Sequence, residues 1–104
     1  MRRVKLLEVA AAEASAAAAW YERERSGLGA EFAAAVEAVL DLLEDEATPL
    51  LPMPAEAGTR GAKRLMLERF PYDVVVIERD AEHIVVAIAH QARKPGYWRE
   101  RECI

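Results

Sequence analysis

Residues 72–90 read Tyr72-Asp73-Val74-Val75-Val76-Ile77-Glu78-Arg79-Asp80-Ala81-Glu82-His83-Ile84-Val85-Val86-Ala87-Ile88-Ala89-His90, and this stretch decides the fold. Val74–Ile77 and Ile84–Ile88 are apolar at every position and mostly β-branched. Strands of that composition bury both faces and sit in the middle of a sheet. Arg79-Asp80-Ala81-Glu82 supplies a tight polar turn, so Tyr72–Arg79 and His83–His90 are expected to form an antiparallel hairpin. Pro71 falls at a strand start, where its missing N–H is tolerated. Simple alternation puts His90 on one face with Ile84, Val86 and Ile88.

Working back from this hairpin, Arg60–Arg69 reads as a third strand. Thr48–Thr59 holds Pro49, Pro52, Pro54 and Gly58, cannot be regular structure and is expected to be a loop. Before it, Phe32, Val36, Val39, Leu40 and Leu43 recur at steps of three and four, predicting an amphipathic helix from Ala30 to Glu46. Ala10–Ser26 is almost entirely helix-forming, with Trp20 as its expected core anchor. Gly27 and Gly29 stand where the first helix should end and turn, so the two helices should pair as an antiparallel hairpin. Arg2–Val9, with Val4, Leu6 and Leu7, reads as a first strand. The expected fold class is α+β: an N-terminal strand, then a two-helix hairpin packed on a mainly antiparallel four-stranded sheet, in a single domain of residues 1–104.

Composition narrows the function classes. No apolar run approaches the roughly 20 residues that span a bilayer. Met1–Leu7 is basic then apolar, but Glu8 interrupts it too early for a signal peptide, so a cytoplasmic protein with no membrane association is expected. Cys103 is the single cysteine, which excludes a disulfide framework. His83, His90 and Cys103 have no metal-ligand spacing, and neither metal nor cofactor is expected. Net charge is −4, unevenly spread. Residues 1–58 carry 5 Lys/Arg against 11 Asp/Glu, whereas His90–Arg101 carries 4 basic residues against 1 acidic. Either the Glu-rich helices are simply a solvated face, or the basic end faces phosphate.

Three segments carry a family resemblance. Trp20-Tyr21-Glu22 followed by Gly27-Leu28-Gly29 and Phe32 resembles the helical hairpin of the RelE/ParE toxin superfamily. Arg69-Phe70-Pro71-Tyr72 leading into an apolar hairpin is similar to it as well. So is Ala87-Ile88-Ala89-His90 with Arg93-Lys94-Pro95-Gly96-Tyr97-Trp98-Arg99. Each fragment is weak alone; together they cover nearly the whole chain in the matching order. The resemblance implies the toxin of a type II toxin–antitoxin (plasmid stabilisation) module, neutralised by a cognate antitoxin in a hetero-oligomer. It implies either a RelE-like mRNA interferase acting on ribosome-bound mRNA or a ParE-like inhibitor of DNA gyrase that cuts nothing. A degenerate member that only binds its antitoxin is the third reading.

Ribosome-dependent mRNA cleavage is the reading favoured here, because the basic, ring-bearing stretch after His90 offers the chemistry. A metal-independent endoribonuclease needs a proton acceptor for the 2′-OH, a stabiliser for the phosphorane and a proton donor for the leaving oxygen. His90 carries an imidazole, the side chain best suited to acid or base duty near neutral pH. Arg64, Arg69 and Arg93 match phosphate geometry. Tyr97 suits proton transfer, and Tyr97 or Trp98 suits base stacking. In RelE-like members the functional residues lie on the sheet and near the C-terminus, so by position the resemblance implies a candidate site of Arg64, Arg69, His90, Arg93 and Tyr97. Each has a structural alternative: His90 capping the core, Tyr97 and Trp98 packing the tail on the sheet, Arg64 and Arg69 solvated or paired with Glu68 or Glu78. The acidity of the chain counts against an RNA binder.

Overall fold

A computed structural model describes residues 3–45, 50–52, 62–93, 96–98 and 100–101, with 51 and 52 as backbone only. Cys103 and most of the proline-rich 48–59 segment lie outside them. The elements are β1 (Arg3–Leu6), α1 (Glu8–Glu24), α2 (Leu28–Glu44), β2 (Leu51–Pro52), β3 (Lys63–Met66), β4 (Tyr72–Arg79) and β5 (Glu82–His90). The sheet order is β1-β5-β4-β3-β2, with β1 parallel to β5 and the other pairs antiparallel. The expected α+β arrangement stands: four principal strands and a helical hairpin, plus a two-residue edge strand inside what reads as loop. Pro52 is tolerated there because an edge strand leaves one side of its backbone unpaired. Helix α1 begins at Glu8, so the first strand is shorter than Arg2–Val9.

The central hairpin forms as its composition demands. Val74, Val75, Val76, Val85, Val86 and Ala87 are essentially inaccessible to solvent. Its turn is two residues long, with Asp80 at φ 51° and Ala81 at φ 63°. Both are left-handed, the twist that a two-residue hairpin requires, without the glycine usually found there. The helices cover one face, where Phe32, Val36, Val39 and Leu43 meet Val74, Val76, Val85 and Ile88. Tyr21, Phe32, Phe70 and Tyr72 form a ring cluster at the top of this core, Phe32 standing 5.1 Å from both Phe70 and Tyr72. The other face, with Val75, Ile77, Ile84, Val86, Ala87 and Ala89, packs against Trp98 from the C-terminal segment.

A register shift between Val75 and Val76 of β4, opposite Val86 of β5, breaks the alternation. Val86 and Ala87 both join the Trp98 face, and Ile88 changes to the helix face. His90 therefore lies with Ile88 and not with Ile84 and Val86, as unbroken alternation implies. An extra residue in one strand re-aims everything beyond it. Trp20 is likewise not a core anchor: it is 49% exposed, and Ala10 and Ala17 are the fully buried positions of α1. Alanine lets α1 approach the sheet closely, which leaves the large ring on the outer flank.

Candidate functional site

Strand β1 ends at Leu6, whereas β5 continues to His90. The ladder between them closes with the Leu7 N–H on the Val85 carbonyl. Beyond that point β5 has an open edge, and side chains complete it. The Ile88 N–H donates to Glu13 Oε1 at 3.0 Å, and Arg101 Nη1 donates to the Val86 carbonyl at 3.0 Å. Buried backbone groups need such partners.

Glu13 is the hub of this edge. Its side chain is 16% exposed and projects from the inner flank of α1. Besides Ile88, it accepts the Tyr97 hydroxyl at 2.6 Å and Arg101 Nη1 at 2.9 Å, with Arg93 Nη1 at 3.6 Å. The Arg93 guanidinium stacks on the Tyr97 ring, 3.5 Å from its centroid, and Arg101 lies 5.2 Å from the same centroid. Burial pushes the Tyr97 phenol well above its ordinary value, and the hydrogen bond to Glu13 adds to that. A phenol so placed keeps its proton and is poorly suited to accept another.

His90, Arg93 and Tyr97 thus come together at the end of β5, and Arg64 and Arg69 do not join them. Arg64 lies on β3 opposite Val75, on the Trp98 face, 3.3 Å from the buried Asp73 carboxylate. Gln91 Nε2 donates to the other oxygen of Asp73 at 3.1 Å. Arg69 sits in the β3–β4 turn and donates to Glu31 of α2 at 2.7 Å. That hydrogen bond, with the charge of Arg69 and Arg25, holds the Glu31 carboxyl below its usual range. Neither arginine pairs with Glu68 or Glu78 in the way the sequence suggests; their acids are Asp73 and Glu31.

His90 is exposed, with its ring 5.0 Å from Tyr72. Its Nδ1 accepts the Ala92 N–H at 3.0 Å, which leaves Nε2 as the protonated, donating nitrogen of the neutral ring. An open cleft of about 310 Å³ is lined by Glu13, Ala16, Ala17, Trp20, Tyr72, Ile88, His90 and Arg93. Sequence reasoning missed Glu13, Arg101 and Trp20 as members of this region. A signal for Glu13 was present: it shares the α1 face of Ala10 and Ala17, and an acid among alanines on a core-facing stripe needs a partner.

No protein-family model matches the chain, and no curated protein matches it. Among solved structures, the chain is similar to one from the chromosomal ParDE toxin–antitoxin system of P. aeruginosa, with a TM-score of 0.64. The two are 22% identical, and the alignment covers 86% of this chain and 96% of that one. The likeness shows the fold alone: two helices packed on a mixed sheet.

Proposed function

We propose that this chain is the toxin of a type II toxin–antitoxin module, held by a cognate antitoxin, and that it acts by binding its target and not by cutting RNA. The target proposed is DNA gyrase, in the cytoplasm. One observation carries this reading: three of the five candidate groups, Arg64, Arg69 and Tyr97, are already matched to carboxylates. Arg64 is paired with Asp73, Arg69 with Glu31, and Arg101 and the Tyr97 hydroxyl with Glu13. An RNA phosphate gripped by these three groups would have to displace an internal acid each time, on a chain of net charge −4. Supporting it, the similar solved chain comes from a ParDE system.

Purified protein added to gyrase and relaxed plasmid should block supercoiling, while mRNA in expressing cells stays intact. Normal supercoiling at a large molar excess of the protein overturns the gyrase target. A second reading, RelE-like mRNA cleavage, is favoured by the pairing of His90 and Arg93 along one cleft. It predicts site-specific mRNA breaks on expression, abolished in His90→Ala with Arg93→Ala.

A further inference from the structure

Among the described side chains, Trp20 is the largest apolar group left in solvent, and its surroundings are built rather than incidental. Its ring is held edge-on to Tyr21 at 5.1 Å, and Tyr21 in turn packs on Phe32 and Phe70 inside the core. Beside it, Ala16 and Ala17 form a floor with no bulk, and Ile88 closes the inner wall. A ring already fixed by its neighbours loses little conformational freedom on docking, which is why rigid aromatic anchors dominate protein interfaces.

The opposite wall is polar and has donors to spare. Glu13 already accepts the Ile88 N–H, the Tyr97 hydroxyl and Arg101, all within 3.0 Å. Arg93 gets only the longer 3.6 Å approach, with its side chain 56% exposed. Its guanidinium is nevertheless fixed in place by the Tyr97 ring beneath it. His90 adds a second donor, because its Nδ1 is spent on the Ala92 N–H and the neutral ring donates through Nε2. The cleft lining thus combines small apolar side chains and an indole with a fixed guanidinium and an imidazole N–H.

We infer that this cleft docks an apolar segment bearing a carboxylate, contributed by the antitoxin. The inference rests on the toxin–antitoxin reading above and names where the partner sits. Its apolar side chains cover Trp20, Ala16, Ala17 and Ile88, and its Asp or Glu takes the free edge of Arg93 and the N–H of His90. Charge complementarity selects a single carboxylate over a polyanion. One guanidinium with open donors matches one acid, whereas a nucleic-acid strand would also meet the acidic surface of the helices.

The test uses the full-length chain and the purified product of the adjoining reading frame. Trp98 is buried, so acrylamide quenching of tryptophan fluorescence reports on Trp20. Complex formation should shield Trp20 from acrylamide. Trp20→Ala and Arg93→Gln should each weaken the complex by about tenfold or more, with melting temperatures close to the parent. Unchanged quenching on complex formation, or affinities within about twofold of the parent for both variants, overturns the cleft assignment alone. Absence of any complex with the unaltered chain overturns the toxin–antitoxin reading with it. Release of the partner by a single-stranded RNA decamer that itself shields Trp20 would assign the cleft to nucleic acid and overturn the proposal.

Discussion

At Gly29 a methyl group has nowhere to go. A Cβ there would lie 2.5 Å from the Ala18 carbonyl oxygen and 3.0 Å from the Glu22 Cβ. The first contact is backbone, so α1 and α2 would have to separate at their turn. Gly29→Ala should cost about 1–3 kcal/mol in urea denaturation, the usual range for forced overpacking. The hairpin turn offers the opposite case. Ala81 holds φ 63°, a left-handed conformation that costs an L-residue roughly 1–2 kcal/mol. Ala81→Gly should therefore raise stability, by less than that strain because glycine loses more entropy on folding. A fall in the denaturation midpoint would show that the turn is not strained.

Elements here are stabilised by carboxylates supplied from their neighbours. No side chain at Gly27 caps α2, yet Glu22 of α1 accepts the N–H of Gly27 at 2.9 Å and of Gly29 at 3.0 Å. This places an anion on orphan donors at a helix N-terminus, where the macrodipole favours it. It also gives a physical reason for the Glu22-to-Gly29 spacing in the sequence. Glu22→Ala should cost about 1 kcal/mol, as loss of a capping side chain does. Glu13 does the same for the open edge of β5 and for the C-terminal segment. Glu13→Ala leaves the Ile88 N–H, the Tyr97 hydroxyl and Arg101 short of an acceptor, and should cost about 2–4 kcal/mol. The Tyr97 bond also sets a pH dependence. Its phenol is raised above the ordinary value of 10.0, so folding favours the protonated form. That contribution is complete below 10.0 and is lost as pH climbs through the raised value. Stability measured against pH should fall less steeply in the alkaline range for Tyr97→Phe than for the parent.

Across the whole molecule, the sheet is covered unequally. Two helices bury one face, and the other depends on Trp98, which is 2% exposed. Trp98→Ala should cost about 3–5 kcal/mol, the range for truncating a buried aromatic, and should expose dye-binding apolar surface. A variant as stable as the parent would show that the second face is covered by something else. The same segment carries Arg93, Tyr97 and Arg101 to Glu13, so covering the sheet and building the cleft wall are one event. The shared fold with a ParDE chain covers 86% of this chain, whereas the proposed activity rests on how a few charged side chains are paired.

The order of elements, the paired helices and the doubly buried hairpin were legible along the chain, because they follow from local periodicity and turn chemistry. So was the packing of the tail on the sheet as an alternative for Tyr97 and Trp98. The side on which His90 emerges was not, since a register shift depends on how β4 and β5 settle against each other. Nor was the exposure of Trp20, which follows from α1 sitting close to the sheet on Ala10 and Ala17. Arg64 and Arg69 read as phosphate clamps when only their charge is known; in the fold they meet Asp73 and Glu31. Local periodicity and turn chemistry settled which residues could form helix and strand. Which charges meet, and which donors remain free, was decided only by long-range packing, because ion pairing depends on distances that local sequence does not encode.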